Sequence, residues 1–149
     1  MKARKGFTLV ELLIVMAIIA ALMAVLIPMA GGAMKKAKAT KIGVVLRNVV
    51  QGAEQYVMAQ LPETGSVEDP LNLLISHGYV TSNDILDDID LDINIGDTDY
   101  TITATYTNSD SALVDMVYGT VKETFSATTS ASGTTEHCVT VTATGTRFW

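Results

Sequence analysis

The hydrophobic and polar positions of this chain follow three successive patterns. Residues 7–34 are almost all apolar, and residues 12–34 carry no charged side chain. Apolar residues then recur every three or four positions, as on one face of an amphipathic helix. These positions are Ile42, Val45, Leu46, Val49, Ala53, Tyr56 and Val57. Beyond residue 60 the spacing is mostly two, which is typical of β-strands. The pattern predicts an α+β fold, with one long N-terminal helix packed on a small antiparallel sheet.

The predicted helices have recognisable ends. The long helix is predicted to end at residue 60, before Leu61-Pro62, because the residue before a proline is pushed out of helical angles. A short helix is predicted over residues 70–76, with Gly78 as its stop.

Two runs of the head alternate between apolar and polar side chains. The predicted inward side chains are Ile89, Leu91, Ile93, Ile95, Tyr100, Ile102, Ala104 and Tyr106. Aspartates at 88, 90 and 92 and threonines in residues 100–107 take the other face. Further strands are predicted at 111–120, 121–128 and 137–146, with turns near Gly96-Asp97, Asn108-Ser109-Asp110, Gly119 and Ser132-Gly133. We expect an antiparallel meander of about four or five strands, with its apolar face on the helix stripe and its threonine face in water.

The apolar run is long enough for a membrane helix. At about 1.5 Å per residue, residues 12–34 span roughly 30 Å, the thickness of the hydrocarbon layer. An ordinary secretory signal is shorter and is followed by a small-residue cleavage site. Here the chain instead passes through Pro28, Gly31 and Gly32 into lysines. Because basic residues flank the run on both sides, charge leaves its orientation in a membrane open.

The charge balance bears on possible partners. Three of the ten basic side chains lie in the first six residues, and all sixteen acidic side chains lie beyond them. Because phosphate binding needs clustered basic residues, this balance argues against a nucleic-acid partner. One basic cluster follows the apolar run, and we interpret it as a contact with membrane headgroups or with a partner subunit. The basic cluster consists of Lys35, Lys36, Lys38 and Lys41.

The sequence predicts no cofactor, metal or catalytic site. Cys138 is the only cysteine, and His137 beside it on a strand would point to the opposite face, which is poor for joint metal ligation. Alternate aspartates at 88–92 superficially resemble a calcium loop, but Ile93 stands where that loop needs glycine. We favour a solvated strand face, with a calcium site or a subunit contact as alternatives. We find no nucleophile–base set or phosphate loop, so the chain is not predicted to be an enzyme.

Glu11 is the one charged residue within the first part of the apolar run. A carboxylate near the edge of a hydrocarbon segment costs on the order of a few kcal/mol unless it is paired or reaches water. It either snorkels to the membrane boundary or serves a specific pairing. These residues alone leave both interpretations open.

The stretch KGFTLVELLIVMAIIAALMAVLIP, residues 5–28, closely resembles the N-terminus of bacterial type IV pilins and of the related pseudopilins of type II secretion. The motif is specific because it combines Gly6, Phe7 and Glu11 within a charge-free run. The resemblance extends to about residue 60 as a helical pattern, and to the remainder only as an architecture.

This resemblance implies a processing step and a pairing. A prepilin peptidase is expected to cut between Gly6 and Phe7 and to methylate the new amino group of Phe7. The basic leader is then cytoplasmic, which decides the orientation. Glu11 of one subunit is expected to neutralise the Phe7 amine of a neighbour, a pairing that is less screened inside an apolar bundle than at a surface.

Pro28 departs from a plain membrane helix. It lacks the N–H that would bond to the preceding turn, and its ring crowds that turn. It is either a tolerated kink or, as the resemblance implies, part of a segment that melts in the filament, roughly residues 20–29. Gly31 and Gly32 soften this part of the helix further.

The resemblance implies a structural subunit that polymerises with identical copies into a type IV pilus. Its expected parts are a leader at 1–6, a helix at 7–60 whose residues 7–34 form the membrane or filament-core segment, and a head at 61–149. Expected partners are the prepilin peptidase, an inner-membrane assembly platform and the lipid bilayer before assembly. The precursor is expected in the inner membrane and the filament on the cell surface. The alternative is a minor pilin or a type II secretion pseudopilin, and motility, adhesion and other uses stay open.

Heads of this family often carry a disulfide near the C-terminus, which Cys138 alone does not permit. We therefore expect the sheet itself to hold the last strand, with Phe148 and Trp149 packed on it. The Ser- and Thr-rich residues 124–135 are interpreted as an exposed loop, unmodified in preference to O-glycosylated.

Overall fold

The computed structural model describes residues 7–132 and 136–149. It falls into two compact units, one ending at Lys35 and the other formed by Lys36–Trp149. Its elements are α1 Leu9–Gln60, β1 Gly65–Ser66, α2 Pro70–Ser76, a 3-10 turn Leu86–Asp88, β2 Ile89–Ile95, β3 Asp99–Asn108, α3 Ser111–Val121, β4 Ser126–Ser132 and β5 Glu136–Thr146. The predicted α+β class, a long helix with a small antiparallel sheet, is confirmed. The predictions for Gly6 and for the residues before it lie outside the described residues, as does Gly133 in the predicted turn.

The ends of α1 and α2 agree with the predicted stops. Leu61 has a φ of 48°, and its N–H donates to Val57 O at 3.1 Å, which closes the last turn of α1. In α2 the first helical residue is Pro70. Proline has no backbone N–H, and at this position a helix offers no acceptor for one. Gly78 follows α2 with a φ of 77°, a backbone angle that favours glycine.

The second half of α1 buries the predicted stripe against the sheet. Its buried residues are Ala39, Ile42, Gly43, Leu46, Val49, Val50, Gly52, Ala53 and Val57. Val45 and Tyr56 are partly buried against the same core. Close contacts in this region require glycine at two positions. A Cβ on Gly43 would overlap Thr120 of α3, and a Cβ on Gly52 would lie 2.8 Å from Val80 Cγ2.

Strands β2 and β3 form the predicted alternating pair. They pair antiparallel in a register that sets Ile93 opposite Ile102 and Ile95 opposite Tyr100. All eight predicted inward side chains are buried, whereas the aspartates at 90 and 92 are exposed on the other face. The threonines of β3 are only half-exposed, because β2 and β5 flank that strand.

The prediction of a strand at residues 111–120 is wrong, since this segment forms helix α3. Asp110 Oδ1 accepts from the backbone N–H groups of Ala112 and Leu113 at 3.1 and 3.3 Å, which caps the helix start. The buried side chains are those of Leu113, Val114, Val117 and Val121, a spacing of three and four. The predicted turn at Gly119 therefore lies inside a helix.

The sheet is antiparallel but is not a simple meander. Its strand order is β1-β2-β3-β5-β4, because α3 carries the chain from β3 to the far edge and β5 returns between them. The strand predicted at 121–128 begins only at Ser126. The loop predicted at 124–135 is wrong over Ser126–Ser132, which pair with β5 as strand β4.

Arg147 ties the end of the chain to two loops of the head. Its Nη1 donates to Thr64 Oγ1 at 2.7 Å and to Gly96 O at 3.1 Å. Its backbone N–H donates to Thr98 O at 2.9 Å. These hydrogen bonds fasten the last strand to the loop after α1 and to the turn between β2 and β3.

The two C-terminal aromatic residues differ in their packing. The Trp149 ring lies 6.4 Å from the ring of Tyr100, and its Nε1 donates to Pro62 O at 3.2 Å. Phe148 remains 72% exposed, and its ring meets that of Trp149 in a T-shaped arrangement with the ring centroids 5.4 Å apart. The expected packing on the sheet is therefore found for Trp149 and is wrong for Phe148.

Candidate functional site

The N-terminal part of α1 exposes its apolar side chains on every side. The 18-residue window with the highest mean hydropathy, 3.0, has none of its residues buried within the chain. The exposed large side chains are those of Phe7, Leu9, Val10, Leu12, Leu13, Ile14, Val15, Met16, Ile18, Ile19, Leu22, Met23, Val25, Leu26, Ile27, Met29 and Met34. Of the helices that the structure describes, α1 is long and apolar enough to cross a membrane. Such a surface needs lipid or another protein to cover it.

Glu11 is held at the start of α1 by Thr8. The backbone N–H and the hydroxyl of Thr8 both lie 2.8 Å from Glu11 Oε2, and the N–H of Glu11 lies 3.3 Å from Thr8 Oγ1. This reciprocal arrangement is a capping box, in which the first residue outside the helix and the third residue within it satisfy each other's backbone donors. It also places a negative charge near the positive end of the helix dipole.

The capping box defines what Glu11 can do chemically. Both groups that Thr8 offers are uncharged, so the hydrogen bonds orient the carboxylate without neutralising it. An ammonium group brought to the N-terminal end of α1 would meet a carboxylate whose position is already fixed. The pairing of Glu11 with the amine of a neighbouring subunit remains a prediction.

Thr8 was not singled out by the sequence analysis. The signal was present, because Thr8-x-x-Glu11 directly before an apolar run is a capping-box pattern. The sequence predicted a partner for Glu11 on another molecule, whereas the structure gives it a partner within the chain, three residues earlier. Phe7, next to Thr8, is 84% exposed.

The helix runs through the segment that is predicted to melt. Residues 20–32 are helical, including Pro28, Gly31 and Gly32. A Cβ on either glycine would meet nothing within 4 Å, so packing within this chain does not require glycine there. Each glycine costs a helix about 1 kcal/mol relative to alanine. The melting of this segment in a filament remains a prediction.

The basic cluster Lys35, Lys36, Lys38 and Lys41 lies at the surface, as do the aspartates at 88, 90 and 92. Lys41 Nζ is 3.6 Å from Asp84 Oδ1, and the two side chains are 62% and 84% exposed, so the pair is a weak one within the chain. A contact of the basic cluster or of the aspartate face with a partner subunit remains a prediction. Within residues 7–132 and 136–149 no group of three His, Cys, Asp or Glu side chains has the arrangement of a metal site.

The fold and this segment define a class of protein, namely a small α+β head on a helix whose exposed apolar half suits a membrane or a filament core. Comparison with known proteins makes the class more specific. Residues 1–27 match the model of the prokaryotic N-terminal methylation motif. The chain is also 52% identical over 56 residues to the type IV wide pilus major component PilA4 of Thermus thermophilus. The matched region is 38% of this chain and 43% of that protein. No solved structure gives a significant match.

These findings confirm the resemblance to the type IV pilin family. The motif match covers residues 1–27, the match to PilA4 covers 38% of the chain, and the long helix on a small antiparallel sheet is consistent with the pilin fold. The match spans less than half of the curated relative, so what that protein assembles into bears on this chain only as a proposal.

Proposed function

We propose that this chain is a structural subunit of a type IV pilus, made as a precursor and polymerised with identical copies into a helical cell-surface filament. The observation that carries this proposal is the exposed apolar half of α1 with a single oriented carboxylate at its start. A membrane covers such a helix before assembly, and neighbouring helices cover it afterwards. The pilus named in the description of the matched relative gives independent support.

Processing is proposed to cut the chain between Gly6 and Phe7. The match to a methylation motif over residues 1–27 supports a modified amino group at Phe7. Removal of residues 1–6 leaves that amine one residue from Thr8, at the end of α1 where the capping box lies. A prepilin peptidase in the inner membrane and an assembly platform are the partners that this step and the following polymerisation require.

Glu11 is proposed to recruit each new subunit. In a bundle of apolar helices, an unpaired Glu11 and an unpaired Phe7 amine both carry a large desolvation cost, which is offset when the two meet across neighbouring subunits. Since Thr8 orients the carboxylate, the pairing favours one axial offset between helices. Pro28, Gly31 and Gly32 are proposed to let the helix extend while this offset is kept.

The test is the intact mass of the subunit in fibres sheared from the source cells. We expect an abundant species with the mass of residues 7–149 plus one methyl group. Additional mass would reveal glycosylation of the head. If fibres are built from a different protein while the processed chain stays in the membrane fraction, the proposal of a major subunit is wrong. The chain is then a minor pilin or a pseudopilin.

A further inference from the structure

Strand β4 forms an open edge of the sheet. The strand order ends in β1 on one side and in β4 on the other. β1 has only two residues, whereas β4 has seven. Among the residues that the structure describes, no strand pairs with the outer side of β4. A long edge strand presents a row of unpaired backbone N–H and C=O groups, which another strand can bind.

The usual protection of an edge strand is missing from β4. Proteins block open edges with charged side chains, especially lysine, with proline, or with a very short strand. Residues 126–132 contain no charged residue and no proline, although the chain as a whole has a net charge of −6. A second copy of this edge therefore approaches without repulsion between the two strands.

The sequence of β4 reads almost identically in both directions. Residues 126–132 are Ser-Ala-Thr-Thr-Ser-Ala-Ser. In an antiparallel pair of two copies centred on Thr129, position 126 meets 132, 127 meets 131, 128 meets 130, and 129 meets itself. Each position thus meets a residue of its own kind, serine and threonine being equivalent as hydroxyl side chains. Cross-strand threonine and serine pairs are among those that stabilise sheets.

The faces of β4 select this register. Ala127 lies opposite Val141 of β5 and Thr129 lies opposite Val139, and both valines are buried on the core side. Thr128 lies opposite Thr140 on the other face. Pairing centred on Thr129 keeps core-side positions next to core-side positions. A slip of one residue would set the two faces against each other.

We propose that β4 is an interaction surface for a second copy of this chain, which binds through its own β4 across a two-fold axis at Thr129. The contact joins the two five-stranded sheets into one. A two-fold contact uses the same patch on both partners and closes on itself, so it does not build a helical polymer. It therefore differs from the contacts along a pilus. This part of the inference rests on the proposed function, under which the contact joins heads that belong to separate filaments.

Disulfide trapping tests the register directly. The full-length chain is purified in detergent micelles with Cys138→Ser, so that an introduced cysteine is the only thiol. With Thr129→Cys, the two opposed Cα atoms would be about 4.5–5.5 Å apart, within the range of a disulfide. With Thr128→Cys, each cysteine lies opposite position 130 of the other copy. The two cysteine Cα atoms are then about 8 Å apart, which is too far for a disulfide. A mixture of Thr128→Cys and Ser130→Cys chains restores the opposed pair.

We expect mild oxidation to give at least about tenfold more covalent dimer from Thr129→Cys than from Thr128→Cys, because only the former meets the distance limits. The mixed sample should cross-link as a heterodimer. Equal cross-linking of the two single variants, or monomers throughout, would overturn the proposal. Trp149 fluorescence during thermal unfolding verifies that each variant retains a folded head.

A second experiment separates this contact from filament assembly. Thr129→Lys places two like charges at the axis, so we expect the dissociation constant of the micellar dimer, measured by analytical ultracentrifugation, to rise at least about tenfold. Sheared fibres of this variant should keep their yield but lie singly in electron micrographs, where fibres of the parent chain lie side by side. An unchanged dissociation constant would contradict the proposal. If the parent chain itself forms no fibres, the proposed function is contradicted instead.

Discussion

The two halves of α1 share one secondary structure and differ completely in burial. Residues 9–34 expose every large apolar side chain, while the residues beyond Lys38 bury nine positions in the head. The first half is apolar on all sides, and the second has one apolar stripe among polar residues. A helix therefore forms in both, but among the described residues only the second half is buried by other parts of the chain. The first half requires a partner from outside, because exposed apolar surface costs about 25 cal/mol per Å².

Glu11→Ala is expected to give the largest effect, and it acts only on the first half. The variant leaves the amine at Phe7 without its proposed counter-charge, a loss worth about 3–5 kcal/mol for a buried pair. We expect the yield of sheared fibres, measured by immunoblot, to fall more than about tenfold while the leader is still removed. Asp115→Ala, which removes an exposed carboxylate from α3, is the control and should leave the yield unchanged. Normal fibre yield from Glu11→Ala would contradict the recruitment role.

Leucine-to-alanine variants in the two halves of α1 test the comparison through stability. Leu46 is fully buried and Leu22 is 59% exposed. Leu46→Ala leaves a cavity and should lower the free energy of unfolding of the head by about 2–5 kcal/mol. Leu22→Ala should change it by less than about 0.5 kcal/mol. Denaturant unfolding in mild detergent, followed by Trp149 fluorescence, measures both. A similar loss in the two variants would show that the first half contributes to the fold of the head.

Glycine variants sharpen the same contrast. Gly43→Ala forces the new methyl group against Thr120 of α3, so we expect a loss of about 1–3 kcal/mol despite the better helix propensity of alanine. Gly32→Ala meets nothing within 4 Å and should leave the head unaffected while it favours the helix by about 1 kcal/mol. The readouts are the thermal midpoint of the head and amide hydrogen exchange of α1. Equal midpoints for both variants would contradict the close contact between α1 and α3.

The smallest expected effect is on the stability of the head at alkaline pH, and it involves only the second half of α1. Burial raises the pKa of the Tyr100 phenol above its usual value near 10, and the negative charge of Glu54 on α1 adds to the shift. The unfolded chain therefore loses this proton first as the pH rises. The contribution of Tyr100 to stability is complete below pH 10 and is lost as the pH rises through the higher pKa of the folded state.

Tyr100→Phe keeps the ring and removes the proton. We expect the stability of this variant to decline less than that of the parent between pH 9 and about 11, as followed by denaturant midpoints. Tyr79→Phe, which removes the hydroxyl of a half-buried tyrosine elsewhere in the head, is the control. Identical pH profiles for Tyr100→Phe and the parent would show that Tyr100 does not carry this dependence.

The spacing of apolar residues predicted the structure correctly for elements that bury only one face in the core. The strict alternation of β2 and β3 predicted all eight buried positions, and Pro62 and Gly78 predicted where α1 and α2 end. Residues 111–120 were misassigned because they are rich in β-branched and aromatic residues, although Val114, Val117 and Val121 have helical spacing. The cap at Asp110 and burial against the sheet decided in favour of the helix, since packing overrides propensity.

The sequence by itself determined the long helix, its apolar half, the isolated Glu11 and the alternating strands, because each follows from the spacing of neighbouring residues. Only the tertiary structure decided that β5 inserts between β3 and β4, that Ser126–Ser132 become an edge strand, and that Thr8 holds Glu11. Strand order joins residues far apart in the chain, and a polar Ser- and Thr-rich segment carries little local preference of its own. Its pairing therefore depends on which edge the rest of the fold leaves open.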